Sequence, residues 1–538
     1  MGKSQVSSRI ETENRITSQP SGSALSFWIL LLVSLLATIP VWVPAYPPMS
    51  DLPQHAAQVA LLRDLQNSHF AYAKLFQLNW FTPYLLGYLL IYAITPLLGI
   101  VAACKLVISL YIAGLPLSTA LLLESAGTDI FWAILCIPGA YGFTYQWGFL
   151  NFLIAAPLGI LFLWYVLRSS QKLTMRTALL LAVFAIGLFF CHALICAFFG
   201  LCAVLCLLAG KRPLKSAILQ ILPLSAVVPV ALLWMRTTLD RNAAARRPMI
   251  WDLNWQNTVE SYYQSLSDEL HMAHAGWGRI TGFFPRLLGL HPSWYCIFLG
   301  TALFLLPLLA GMRLQQKRIR WIPFFLCAVV LLWCPHAVFG TEFVYQRFTM
   351  FAVPLFLFLL RESSTKQTTQ ILTRLAALLL VLGCIASATQ KARAFSRETE
   401  GFQHALAYMQ PGERVLSLAF DHEDGISIAP TFLHFPQWYA AQKQGFVDPS
   451  AAMMHPELVI FRKGEAPEAV LWDFEWDPEE FVWDDYSGEQ YRYFVVRSGE
   501  DKSATLFAQA PHPVKLLFHQ DDWWLYEYVD PDLTAPAQ

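Results

Sequence analysis

The residues best placed for chemistry stand in one short run, Ser50-Asp51-Leu52-Pro53-Gln54-His55, which opens an Ala/Leu-rich helical stretch reaching Gln66. With Asp51 in the first turn, its carboxylate and the His55 imidazole lie about one turn apart on the same face. Such a pair could take a proton from an acceptor hydroxyl, or hold a divalent ion with help from lipid phosphate. The local alternative is that Ser50 or Asp51 caps the helix, with Pro53 in its first turn. A second group, Tyr145-Gln146-Trp147-Gly148-Phe149-Leu150-Asn151, mixes aromatic rings with side-chain amides. Glu342 and Arg347 form a third, for which an ion pair fixing two helix ends is the plainest reading. His192 and His336 are explained by hydrogen bonds between helices, and His271 with His274, spaced i, i+3, has no third ligand at a set distance.

These residues must be positioned by membrane-spanning elements. The 538 residues are 56% apolar and 14% charged, with mean hydropathy +0.44, whereas an ordinary globular chain is about 25% charged. Apolar runs long enough to cross a bilayer lie near 25–43, 83–101, 104–123, 148–167, 177–191, 194–210, 217–235, 293–312, 321–339, 347–361 and 370–388, about eleven crossings. The piece 130–142 is too short to span and reads as re-entrant, tolerable only where protein or a water-filled cavity covers its backbone. The long run 177–208 reads as two short helices hinged near His192. Basic clusters at Arg168, Lys172 and Arg176, at Lys211, Arg212 and Lys215, at Arg313, Lys317, Arg318 and Arg320, and at Arg361, Lys366 and Arg374 mark the cytoplasmic side. That assignment gives a cytoplasmic tail over 1–24 and a transmembrane domain over 25–389. Outer loops then occupy 44–82 and 236–292. All ten cysteines lie in apolar stretches, so disulfides are not expected.

The last part of the chain is different. Residues 1–389 hold 26 basic and 13 acidic side chains, and residues 390–538 hold 11 and 25. The tail reads as a soluble α/β domain on the outer side, with a helix over 402–408 and strands at 414–419, 491–497 and within 514–529. Trp472, Trp476 and Trp483 stand among Asp473, Glu475, Asp477, Glu479, Glu480, Asp484 and Asp485, a cluster that either binds a cation or sugar or is a solvated face over a core.

Asp-Leu-Pro-Gln-His directly after the first transmembrane helix, the Tyr145-to-Asn151 run in the fourth apolar region and the many-helix layout ahead of an outward domain together resemble bacterial membrane proteins of the GT-C glycosyltransferase superfamily. The resemblance covers mainly residues 25–210. It implies transfer of a sugar from a polyprenyl-phosphate carrier to a glycan, lipid or protein acceptor on the outer face of the bacterial inner membrane. Asp51 would be the catalytic acidic residue and His55 its partner. Many members carry two nearby acids in the first loop, but here the next acid after Asp51 is Asp64. A divalent metal, Mg or Mn, would therefore depend on Asp51 with His55, or the enzyme is metal-independent. A lipid phosphate needs cations at the outer surface, for which Arg241, Arg246, Arg247 and Arg347 are candidates. Gln146 and Asn151, with Trp147 and Glu342, would meet the sugar or acceptor. The competing classes are a transporter or flippase of lipid-linked glycans and a non-catalytic assembly protein whose tail binds a partner. Besides the donor, membrane lipids are expected contacts, and nothing in the sequence reads as a nucleic-acid surface.

Overall fold

The computed structural model describes residues 24–170, 173–210, 213–241, 278–338, 341–363, 365–454, 456–466 and 475–529. Described helices overlie each of the eleven expected apolar runs. Among the described residues, five segments are long and apolar enough to cross a membrane: Ala24–Trp42, Ile100–Ser125, Leu150–Ser169, Leu214–Thr238 and Gln367–Tyr408. Shorter apolar helices stand between them, and large apolar side chains such as Leu97, Met175 and Trp294 face outward. Apolar surface of this kind suits lipid rather than water, and the chain is a multi-pass membrane protein.

Two local features expected from sequence take definite form. The run 177–208 breaks at His192, whose extended backbone (φ −168°, ψ 120°) ends the helix Met175–Cys191 and precedes the helix Ala193–Ala209. The re-entrant piece is a chain of short turns, a 3-10 helix Ile130–Cys136 followed by Ile137–Ala140 and Phe143–Trp147. Residues 131–150 are all buried, so protein covers this irregular backbone, as its place among apolar helices requires.

The boundary expected at 390 falls inside one continuous helix, Gln367–Glu398, so no break separates the tail from the last apolar run. Beyond it five strands lie in the order Phe446–Asp448, Arg414–Ala419, Tyr493–Arg497, Trp523–Glu527, Lys515–Gln520. The first three are parallel, and the remaining pairings are antiparallel. Side chains on a strand alternate between faces, and Tyr493–Arg497 shows the result. Tyr493 and Val495 join the large core shared with the membrane helices, while Phe494 and Val496 join a separate core with Trp483 and Tyr526. A strand buried on both faces reads as an unbroken apolar run rather than an alternating one. A further short strand, Phe76–Leu78 in the first outer loop, pairs antiparallel with Val459–Phe461 of the tail.

Candidate active site

The helix Leu52–Asp64 of the first loop is unusual in burying both apolar and polar faces. Ser50, Gln54 and Gln58, spaced four apart, fall on one face, and all three address tail backbone. The Ser50 hydroxyl donates to the Pro430 carbonyl (2.8 Å), the Gln54 amide accepts from Ala451 N–H (2.9 Å), and Gln58 accepts from Val459 N–H (2.8 Å). Asp51 and His55 share the same spacing one residue further round. The helix therefore fastens the tail with one stripe of polar residues and presents the chemistry-bearing pair on the next.

The opposite side of this turn rests on the Tyr145–Phe149 segment. Ser50 N–H donates to the Gln146 carbonyl and Asp51 N–H to the Trp147 carbonyl, both at 2.9 Å. Gly148 follows in left-handed backbone (φ +80°), and a Cβ there would stand 2.9 Å from the amide nitrogens of Asp51 and Leu52. Only glycine satisfies both the conformation and the close approach.

Asp51 occupies the N-cap position, yet its side chain makes no capping hydrogen bond. This corrects the local alternative for both residues: the Ser50 hydroxyl is used by Pro430, and the Asp51 carboxylate turns away from the helix. It meets His434 of the tail, with Oδ1 3.1 Å from Nδ1, and the other ring nitrogen of His434 lies 3.1 Å from Glu475 Oε2. Burial alone would lower the basicity of His434, but the Glu475 and Asp51 carboxylates outweigh it and raise its pKa to about 10. His434 is thus an imidazolium at neutral pH, flanked by an acid on each side.

His55 has the opposite character. Its Nδ1 lies 2.7 Å from the Tyr88 hydroxyl, and Tyr88 in turn donates to the Glu457 carboxyl. Burial lowers His55 to about 4 against the opposing pull of Asp51, and burial with the Asp51 charge raises Glu457 to about 8. At neutral pH both ends of this chain are uncharged.

Arg347 completes the group. It is buried, its guanidinium carbon lies 3.6 Å from the centroid of the Phe149 ring, and it donates to the Glu342 main-chain carbonyl (2.9 Å). It is within electrostatic reach of Asp51, His55, Tyr84 and His192. His192 packs its ring against Tyr84 and Phe152. Asn151 is buried with its amide oxygen over Gly87, near Tyr88. His336 is tied to Gln346 (2.7 Å), within the same helix turn as Arg347.

Several expected roles change. The Gln146 amide accepts from Ile428 N–H (2.7 Å) and donates to the Gly289 carbonyl (2.9 Å), so both of its ends tie protein segments together and neither is open to a sugar. The Trp147 ring is enclosed by Phe143, Phe149 and Phe343. Both residues shape the Asp51 turn instead. For a metal, Asp51 Oδ1 is engaged by His434, His55 Nδ1 by Tyr88, and no group of three or more His, Cys, Asp or Glu among the described residues could hold an ion. The residues present do not fit a metal held by Asp51 and His55. Arg246, Arg247, His271 and His274, and the side chain of Arg241, lie outside the described residues. An apolar cavity of about 260 Å³ lies on the far side of Gln146, walled by Tyr141, Leu379, Gly383 and Lys391 among others, and Asp51 is not in its lining.

His434, Glu475, Glu457 and Tyr88 were not singled out from sequence as site residues. The signal available was the repeat of polar residues at 50, 54 and 58 in an Ala/Leu-rich helix, which announces that something polar covers that face.

The fold, many apolar helices with an appended α/β sheet, has counterparts among solved structures. Two solved structures carry this comparison. One is the arabinofuranosyltransferase AftD from Mycobacteria, with TM-score 0.51 and 15% identity over 95% of this chain and 40% of that one. The other is ArnT from Cupriavidus metallidurans bound to undecaprenyl phosphate, with TM-score 0.50 and 12% identity over 95% of this chain and 99% of that one. The chain thus spans about two fifths of AftD and nearly all of ArnT. No protein-family description and no curated protein sequence matches this chain.

Proposed function

We propose that this protein transfers a sugar from a polyprenyl-phosphate donor to an acceptor hydroxyl at the outer face of the bacterial inner membrane, with its tail on that side. The observation that carries this reading is the Asp51 carboxylate, 23% exposed at its side chain within a largely buried group, between one imidazolium and a buried arginine. The acceptor O–H gives its proton to Asp51, the acceptor oxygen bonds to the anomeric carbon, and the bond from that carbon to the phosphate oxygen breaks with its electron pair leaving on the polyprenyl phosphate. A positioned general base of this kind contributes about 10² to 10⁴ in rate. Arg347 is the described cation best placed for the phosphate, because its planar fork can grip two oxygens at once. Asn151 and Glu342 are proposed to meet the sugar or acceptor. Burial keeps His55 uncharged, and its Nδ1 is occupied by the Tyr88 hydroxyl. The likeness to ArnT, whose structure holds undecaprenyl phosphate, supports the donor class.

The test is to incubate the purified full-length protein with a panel of undecaprenyl-phosphate-linked hexoses and pentoses and follow donor consumption, with Asp51→Asn in parallel. One donor consumed by the wild type and spared by Asp51→Asn is the expected result. Equal consumption by both proteins removes Asp51 as the base. The outer-face assignment is checked by fusing alkaline phosphatase after Gln538, where an active phosphatase is expected and an inactive one reverses the sidedness.

A further inference from the structure

The tail does more than cover the first loop. We propose that His434, held by Glu475, is a positioning residue for Asp51: it clamps one carboxylate oxygen and leaves the other to face the acceptor, so the catalytic base exists only when the tail is docked. This rests on the reading of Asp51 as the base.

The geometry is a chain of three side chains from two distant parts of the sequence. Asp51 Oδ1 and His434 Nδ1 are 3.1 Å apart, as are His434 Nε2 and Glu475 Oε2. The His434 side chain is 11% exposed and that of Glu475 10%, so solvent screens the inner contacts poorly. Other groups also face this chain. From the membrane side come His55 and Arg347, both in electrostatic reach of Asp51, and Glu457 of the tail, which feels the Asp51 charge. From the tail comes His422, whose Nε2 lies 3.1 Å from the Glu475 main-chain oxygen. Of these, His55 is uncharged at neutral pH. The position of His434 is itself fixed: Ser50 binds the Pro430 carbonyl four residues before it, and the helix Gln437–Lys443 follows directly.

A carboxylate with one oxygen clamped by a cation has a single free oxygen of defined direction, which is what proton abstraction from a bound hydroxyl requires. Because His434 already carries its proton, it cannot take a second from Asp51. The abstracted proton stays on the free oxygen of Asp51 until product leaves, and His434 serves only to hold the carboxylate in place. Removing His434 therefore frees the carboxylate to turn, and fewer bound acceptors meet it in line.

Two measurements on the full-length protein in lipid nanodiscs test this. In the first, the protein is labelled with 15N-histidine, and the His434 signal is the one lost in His434→Gln. It is expected to keep both ring nitrogens protonated through pH 8, and to titrate at least about one pH unit lower in Asp51→Asn and in Glu475→Gln. Titration near the ordinary histidine range in the wild type, or no movement in Asp51→Asn, overturns the clamp. In the second, with the donor consumed in the panel above, His434→Gln is expected to lower kcat about 10- to 100-fold and to leave donor KM within about threefold. Glu475→Gln lowers kcat in the same direction by less. A folded His434→Gln protein with wild-type kcat overturns the inference while an inactive Asp51→Asn keeps the base. An active Asp51→Asn overturns the parent reading, whatever the histidine titration shows.

Discussion

Two side-chain chains run from the first-loop helix into the tail, one from Asp51 and one from His55, and they differ in charge. Each has a first-loop residue, an aromatic or imidazole ring in the middle and a glutamate of the tail at the end: Asp51–His434–Glu475 and His55–Tyr88–Glu457. In the first, two carboxylates outweigh the burial of one ring and keep it cationic at about 10. In the second, burial prevails at both ends, leaving His55 at about 4 and Glu457 at about 8. The difference teaches that composition alone does not assign acid and base roles. What separates them is how many opposite charges each group meets once it is out of water.

The largest effect that would break the comparison is expected at Asp51. Asp51→Asn should lose about 10² to 10⁴ in transfer rate. Since the native side chain caps nothing, Asp51→Ala should not show the roughly 1 kcal/mol loss that removing a working N-cap brings; thermal unfolding of the two variants side by side decides this, with equal Tm values expected.

Arg347 stands next, because it is felt by both chains. Arg347→Lys keeps the charge but loses the planar stack on Phe149 and the two-oxygen grip, and donor KM should rise about tenfold or more. Titration with undecaprenyl phosphate as a competitor measures this directly, and unchanged inhibition would take Arg347 out of the donor site.

A smaller change is expected from His55→Gln. Gln retains a hydrogen bond toward Tyr88 and adds no charge, so kcat should fall only a few-fold and its pH profile should keep its shape. A changed profile would mean that His55 titrates in the reaction and that the two chains are not distinct.

The smallest effect at neutral pH is expected from Glu457→Gln, since Gln imitates the protonated acid. The signature lies in stability. Glu457 has its folded pKa raised to about 8 from an ordinary 4.5, so its contribution is fully present below about 4.5 and is lost as pH rises through 8. His55, lowered to about 4 from 6.5, contributes stability above 6.5 that is lost as pH falls toward 4. Glu457→Gln should therefore flatten the decline of Tm between pH 5 and 8 while leaving the acid side unchanged.

Much of the fold could be read before any coordinates, for local reasons. The break at His192 follows from an apolar run too long for one crossing and too short for two uninterrupted ones, and the strand Arg414–Ala419 follows from β-branched and apolar residues after a Pro-Gly turn. Asp51 was legible because its neighbours are. The rest of the site was not, because its partners lie far along the chain: Ser50 and Pro430 are separated by 380 residues, and Tyr88 and Glu457 by 369. Glu475 sat in view among the acidic residues and tryptophans, but nothing in that cluster says which of its acids turns inward. Trp483 is buried in the tail core, whereas Asp484 beside it is exposed. The strand Val459–Phe461 is three residues long and, among the described residues, pairs with Phe76–Leu78 alone, so neither strand carries a periodicity of its own.

The pairing of first-loop and tail strands also fixes a time in the life of the molecule. Asp51 leaves the ribosome early, while His434 follows 383 residues later, which at roughly 5 to 20 residues per second is a delay of about 20 to 80 s. Throughout that interval the first loop has neither its strand partner nor its clamp. Under the roles proposed for Asp51 and His434, a chain still being inserted lacks its clamped base, and synthesis itself acts as the safety catch until His434 arrives.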